Sequence, residues 1–189
     1  MAAKTTFFIF LIFLLMFPRL SPYNVSHVVW HSTGERLFGM YHFVVSQALG
    51  IVHEAGHGVC YLLPCPKPVM VAAGTVFQLG LPLWIAMYYR KRSQKMPYAI
   101  ALFVTGFSLQ YTAWYLSTAH EGLFLPASKS FLGVDSYHDF AYLLGMVGMI
   151  SYDGVISALL KAMAYGLMIW AVIVMYLEAF SSDDYKARR

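Results

Sequence analysis

The sequence predicts an all-α protein, a polytopic membrane helix bundle of five or six helices, and three observations carry that prediction. Hydrophobic residues make up 59% of the chain and charged residues only 12%, against about 25% charged in an average soluble domain. The apolar residues are gathered into runs that reach or approach the roughly 20 residues needed to cross a hydrocarbon core. Aromatic residues reach 17%, in keeping with Trp and Tyr anchoring at lipid interfaces. The length suits a single membrane-embedded domain over 1–189, without a sizeable soluble domain beside it.

The first run, residues 5–17, is apolar apart from two threonines and stops at Pro18. With Lys4 ahead of it the run resembles a signal-peptide core, but no small-residue cleavage site follows, so the expectation is an uncleaved first helix. Residues 18–36 are mixed and polar and read as an interfacial segment. A second helix is expected over 37–63, closed by Pro64-Cys65-Pro66-Lys67-Pro68, where three prolines forbid its continuation. The third run covers 69–89 and the fourth 97–119, followed by a polar connection from His120 to Tyr137. The apolar piece 138–152 is too short to span and reads as a half-helix or re-entrant element, which is tolerated only where protein or a cavity surrounds it. A final helix is expected over 155–178.

A net charge of +4 does not point to nucleic acid, because the basic residues form no stripe. Arg90, Lys91, Arg92 and Lys95 cluster between two apolar runs, and Lys186, Arg188 and Arg189 close the chain. Short basic clusters beside apolar runs mark cytoplasmic loops. This orientation starts the second helix inside and ends it outside, and leaves Lys4, Lys67 and Lys129 on the outer side. Cys60 and Cys65 fit neither a redox pair nor a complete zinc site; two free thiols are the leading expectation and a disulfide between them the alternative.

Chemistry enters with His53-Glu54-Ala55-Gly56-His57 in the second run. Histidines four apart on a helix project from one face, so both imidazoles can hold one tetrahedral zinc with a third protein ligand and an open water position. Glu54 then stands beside that water as general base. The competing reading makes the three polar groups hydrogen-bonding glue between helices. Against it stands the cost of a charge near the centre of a membrane helix, about 2.5 kcal/mol or more, which marks such residues as functional. Gly56 and Gly58 leave room for a neighbouring helix or substrate.

A third ligand must come from elsewhere. Asp135-Ser136-Tyr137-His138-Asp139 opens the short apolar piece, and His138 is the first choice because neutral imidazole is a good zinc donor. Asp139 competes as ligand or supports His138 from behind. Asp135 or Ser136 could instead merely cap the helix that starts there. His42 lies about three turns before His53 on the same face and reads as a packing residue, while His120-Glu121 reads as an interfacial pair.

A membrane-embedded HExxH, a further helix with a Gly-x-x-x-polar step (Gly74-Thr75-Val76-Phe77-Gln78) and a later acidic motif at His138-Asp139 resemble the site-2 protease family of intramembrane zinc metallopeptidases. The resemblance covers roughly residues 37–152 and makes the chain a minimal or divergent member. It implies zinc held inside the membrane by His53, His57 and a later residue, with Glu54 activating water. It also implies lipid bilayer surroundings, in the cell (inner) membrane, and a membrane-protein or peptide substrate. Gln78 stands where the family places Asn, Ser or Gly. The family's third ligand is the aspartate of an Asp-Gly pair, which Asp153-Gly154 matches, so Asp153 joins the candidates. The leading functional expectation is peptide-bond hydrolysis within the membrane; the alternative is a non-enzymatic metal-binding or accessory subunit. Haem ligation is disfavoured, because His53 and His57 on one face cannot be opposed axial ligands.

Overall fold

A computed structural model describes residues 2–20, 33–122 and 138–187. Among them the chain is all-helical: α1 (Ala2–Leu20), α2 (Thr33–Leu62), α3 (Lys67–Lys91), α4 (Lys95–Ser117), α5 (Asp139–Met146), a 3₁₀ turn (Ile150–Tyr152) and α6 (Asp153–Ala187). Among the described residues two segments are long and apolar enough to cross a membrane, Lys67–Lys91 and Ile150–Phe180. The cap candidates Asp135 and Ser136 lie outside the described residues, as does the His42 side chain.

Helices α4 and α6 form the antiparallel spine. Lys95 Nζ meets Glu178 Oε2 at 3.4 Å at one end, and His120 meets Asp153 at the other. Between them Gly106 lets the backbones close in, since a methyl there would lie 2.9 Å from the Ala164 carbonyl and 2.6 Å from Met168. Leu102, Phe103, Phe107, Met168, Val172 and Met175 fill the seam. Helix α1 lies on α6 through Phe7, whose ring meets Tyr176 and Phe180 edge-on at 5.5 and 5.7 Å. Lys4 stands over the Phe180 ring at 5.1 Å. This moves Lys4 to the same end as Lys95 and the Arg90–Lys95 turn, not the opposite end expected from charge counting.

Helices α2 and α3 pair antiparallel. Gly56 is buried against the Ala73 carbonyl, where a Cβ would sit 2.4 Å from the oxygen. Helix α3 starts with a proline in its first turn, where a missing N–H costs nothing. It also carries Pro82 in its interior. Proline lacks the N–H that would bond the carbonyl four residues earlier, here that of Gln78. Ser108 of α4 answers by donating its hydroxyl to Gln78 O at 3.1 Å, the kind of repair that lets a helix keep an internal proline.

Cys60 and Cys65 are joined in a disulfide, correcting the expectation of free thiols. Helix α2 ends at Leu62, and the turn folds back so that Cys65 N donates to Cys60 O at 3.0 Å. That return brings the two Cα atoms to 5.2 Å, whereas five residues of continued helix would rise about 7.5 Å.

The expected half-helix is an eight-residue α5, about 12 Å long and unable to span. Gly148 ends it with φ +68°. Met149 N donates to Leu144 O at 2.8 Å and Gly148 N to Gly145 O at 3.2 Å, the two bonds of a Schellman cap. Asp153 then opens α6, accepting from the Gly154 N–H at 2.6 Å.

Candidate metal centre

The α2–α3 pairing brings His53 and His57 against Gly74 and Gln78, and α5 delivers Asp139 from the opposite side. His53 is 2% exposed and Asp139 8%, while His57 is half-buried. His53 Nε2 lies 2.8 Å from Asp139 Oδ2, His57 Nε2 lies 3.2 Å from the same oxygen, and the two nitrogens are 3.1 Å apart. These three side chains form a group able to hold a metal ion.

The far sides of the rings decide what faces the centre. A neutral imidazole has one N–H and one lone pair. The Met70 carbonyl can only accept, so His57 Nδ1 donates to it at 2.8 Å, and His57 Nε2 keeps its lone pair. Gln78 Nε2 donates to Ser108 Oγ at 3.3 Å and Thr112 Oγ1 at 3.4 Å. This fixes the amide with Oε1 toward His53 Nδ1 at 3.1 Å. His53 therefore also donates through Nδ1 and presents the Nε2 lone pair inward. Two lone pairs and a carboxylate oxygen converge with no donor between them. Such a cluster repels itself unless a cation joins it, and a proton can bridge only one edge of the triangle.

A divalent ion serves all three edges. Ligand atoms about 2.0–2.1 Å from a tetrahedral zinc stand about 3.3 Å apart; two of the observed edges, 3.1 and 3.2 Å, are close to that spacing and the third, at 2.8 Å, is shorter. Imidazole and carboxylate donors, each imidazole with its remote N–H fixed by a second group, are the arrangement expected of a metal ligand set. Gly74 keeps the space open: a Cβ at that position would lie 2.4 Å from His57 Nε2 and 2.6 Å from His53 Nε2.

No family model, curated protein or solved structure matches the chain.

Other expected ligands are placed elsewhere. His138 does not join the cluster. Its backbone is extended, it caps α5, and its Nδ1 accepts from Ala141 N at 3.3 Å. The remaining N–H, on Nε2, donates to the Tyr115 carbonyl at 3.1 Å, and the ring stacks on Tyr115 with centroids 4.1 Å apart. Both nitrogens are thereby committed to structure. Asp153 is also remote, held by His120 Nδ1 at 2.5 Å. Its carboxylate holds His120, in the turn after α4, above the ordinary histidine pKa. Glu54 is half-buried beside the cluster, within electrostatic reach of His57 and Tyr115.

Sequence reasoning missed the Met70 carbonyl and Tyr115. It reached Gln78 and Gly74 only through the resemblance, without a role for either. Pro82 was the available signal: an internal proline four residues after a glutamine frees that glutamine's carbonyl and asks for an outside donor.

Proposed function

We propose that the protein is an intramembrane zinc metallopeptidase that hydrolyses peptide bonds in membrane segments of other proteins. The observation that carries this reading is the convergence of two tautomer-locked imidazoles and a buried carboxylate beside Glu54. Zinc, when bound, would polarise a carbonyl and lower the pKa of water. The chain's own residues do the rest. Gln78 and Met70 aim the imidazoles, Asp139 completes the donor set, and Gly74 leaves the centre accessible. Glu54 takes a proton from water as the C–O bond forms at the carbonyl carbon. It returns that proton to the amide nitrogen as the C–N bond breaks.

A multi-pass membrane setting is supported by the outward faces. Leu81, Leu83 and Trp84 on α3, and Leu159, Ile169 and Trp170 on α6, are exposed. Apolar surface on that scale suits lipid and is a liability in water. Orientation follows from two independent features. The disulfide turn favours an oxidising compartment, and the basic turn at the other end of α3 favours the cytoplasm. The metal centre then lies in the half of the membrane nearer the disulfide.

The test is Glu54→Gln, assayed on membrane proteins whose cleavage depends on the wild type. Zinc content stays at the wild-type level while cleavage falls about 10²–10⁴-fold, the usual weight of a general base. Cleavage at the wild-type rate refutes the role of Glu54. A wild type that holds zinc and cleaves nothing makes the chain a metal-binding accessory subunit instead.

A further inference from the structure

The centre is rich in acceptors and poor in donors. The two histidine N–H groups point away, to Gln78 and Met70, and Glu54 and Asp139 are carboxylates. Neighbouring hydroxyl protons are already spent on backbone carbonyls: Ser108 on Gln78 O, Thr112 on Ser108 O, and Thr118 on Tyr115 O. Peptide hydrolysis nevertheless develops negative charge on the carbonyl oxygen, and a prearranged donor aimed at that charge is commonly the largest catalytic contribution of a site.

Tyr115 has the unspent proton. It is 4% exposed, and its phenol oxygen accepts the Asp139 N–H at 3.2 Å. It thereby satisfies an N–H that the first turn of α5 leaves open on the very residue whose carboxylate enters the cluster. Among the described residues no acceptor is recorded for the phenol O–H. Leaving a buried polar proton unpaired costs about 1–3 kcal/mol, so the hydroxyl that serves the Asp139 N–H as acceptor still has its own donor to place. The ring is fixed on three sides: stacked on His138 at 4.1 Å, edge-on to Phe140 at 5.5 Å and edge-on to His53 at 6.0 Å. These ring contacts and the Asp139 N–H hold the hydroxyl beside a residue of the cluster, with His138 as the plate behind the ring.

We infer that Tyr115 is a catalytic residue of the centre, whose phenol O–H donates a hydrogen bond to the substrate carbonyl oxygen as water adds and negative charge develops there. The inference rests on the peptidase reading above and assigns that site its oxyanion donor. The proton stays on Tyr115 throughout, so the water proton still travels through Glu54 to the leaving nitrogen.

The experiment uses the full zinc-loaded protein in detergent with a Leu/Ala-rich peptide of about 20 residues, enough to span, and the same peptide with a phosphinate in place of the cleaved amide. Tyr115→Phe keeps the ring and its stacking and removes the O–H donor together with the acceptor of the Asp139 N–H, which is why zinc content is read beside turnover. Zinc content and the affinity for the uncleaved amide, measured in a Glu54→Gln background, should be unchanged. Turnover should fall about 10²–10³-fold, as when an oxyanion donor is removed. Phosphinate binding should weaken about 10–100-fold, the weight of one hydrogen bond to a charged acceptor. Wild-type turnover and wild-type phosphinate affinity in Tyr115→Phe overturn the assignment and leave the peptidase reading standing. Loss of zinc in Tyr115→Phe also overturns it, because the hydroxyl would then serve only to seat Asp139. If the variant melts early, 3,5-difluorotyrosine at 115 replaces it. That residue keeps the shape and makes the phenol a stronger hydrogen-bond donor, so phosphinate binding should tighten, and an unchanged phosphinate affinity counts against the inference. A wild type that neither cleaves the peptide nor binds the phosphinate fails the peptidase reading itself.

Discussion

Gly74→Ala is the sharpest single perturbation of the metal centre, because it adds one methyl group and nothing else. The new carbon would lie 2.4 Å from His57 Nε2, 2.6 Å from His53 Nε2 and 2.7 Å from His57 Cε1. Ordinary contact begins near 3.5 Å, so about 1 Å must be recovered. The imidazoles cannot yield it freely, since their far nitrogens are bonded to Gln78 and Met70. Either the methyl group occupies the space a shared cation needs, or the rings leave the bonds that orient them. Loss of such orienting partners alone lowers metal affinity about 10–100-fold, so at least that loss is expected. Overpacking adds a destabilisation of about 1–3 kcal/mol. The assay is zinc competition against a chelator of known affinity in detergent, with thermal melts of the metal-free protein. Gly80→Ala on the same helix is the control, as its Cβ meets nothing within 4 Å, and its zinc affinity should match the wild type. Wild-type zinc affinity in Gly74→Ala would refute the reasoning that the ion sits between these nitrogens.

Asp139→Ala should strip the metal, whereas His138→Ala should retain it at wild-type stoichiometry and lose about 1–3 kcal/mol of stability through the missing cap and buried hydrogen bonds; elemental analysis and melting of both variants separate the roles. The His120–Asp153 pair should make stability depend on pH. Asp153 raises the His120 pKa in the folded state, so its contribution is complete below the ordinary value of about 6.5 and fades as pH rises through the raised one. The melting-temperature gap between wild type and His120→Gln, followed from pH 5 to 9, should narrow toward the alkaline end, and a gap that widens there reverses the sign.

How much of this was legible in the sequence depends on the range of the interaction. The helical runs were visible because apolar length is local, and the pairing of His53 with His57 because a helix fixes an i, i+4 relation by itself. The choice between His138 and Asp139 was not visible. Adjacent residues at a helix start diverge in direction, and which one turns inward depends on His138 taking the extended cap conformation. The disulfide escaped because Cys60 and Cys65 approach only through the turn after Leu62. Gln78 and Ser108 belong together through the register of α3 on α4, which no short-range spacing encodes.

Among the described residues, the helices that pass on hydropathy are not the ones that carry most of the site. The two segments that pass on length and apolarity, Lys67–Lys91 and Ile150–Phe180, are mostly exposed on their outer faces. Helix α4 is buried along most of its length, yet it contributes Ser108, Thr112 and Tyr115 to the surroundings of the centre. Helix α2 carries His53, Glu54 and His57. A helix surrounded by protein can carry polar groups wherever a neighbour supplies the partner, as Gln78 does for Ser108 and Thr112. A helix facing lipid has no such freedom. The polar side chains that lower the hydropathy of α4 are therefore the ones that fix the Gln78 amide, and through it the His53 ring. Replacing Ser108 and Thr112 by apolar residues would free the Gln78 amide to turn and release the His53 tautomer, while the Met70 carbonyl would go on holding His57.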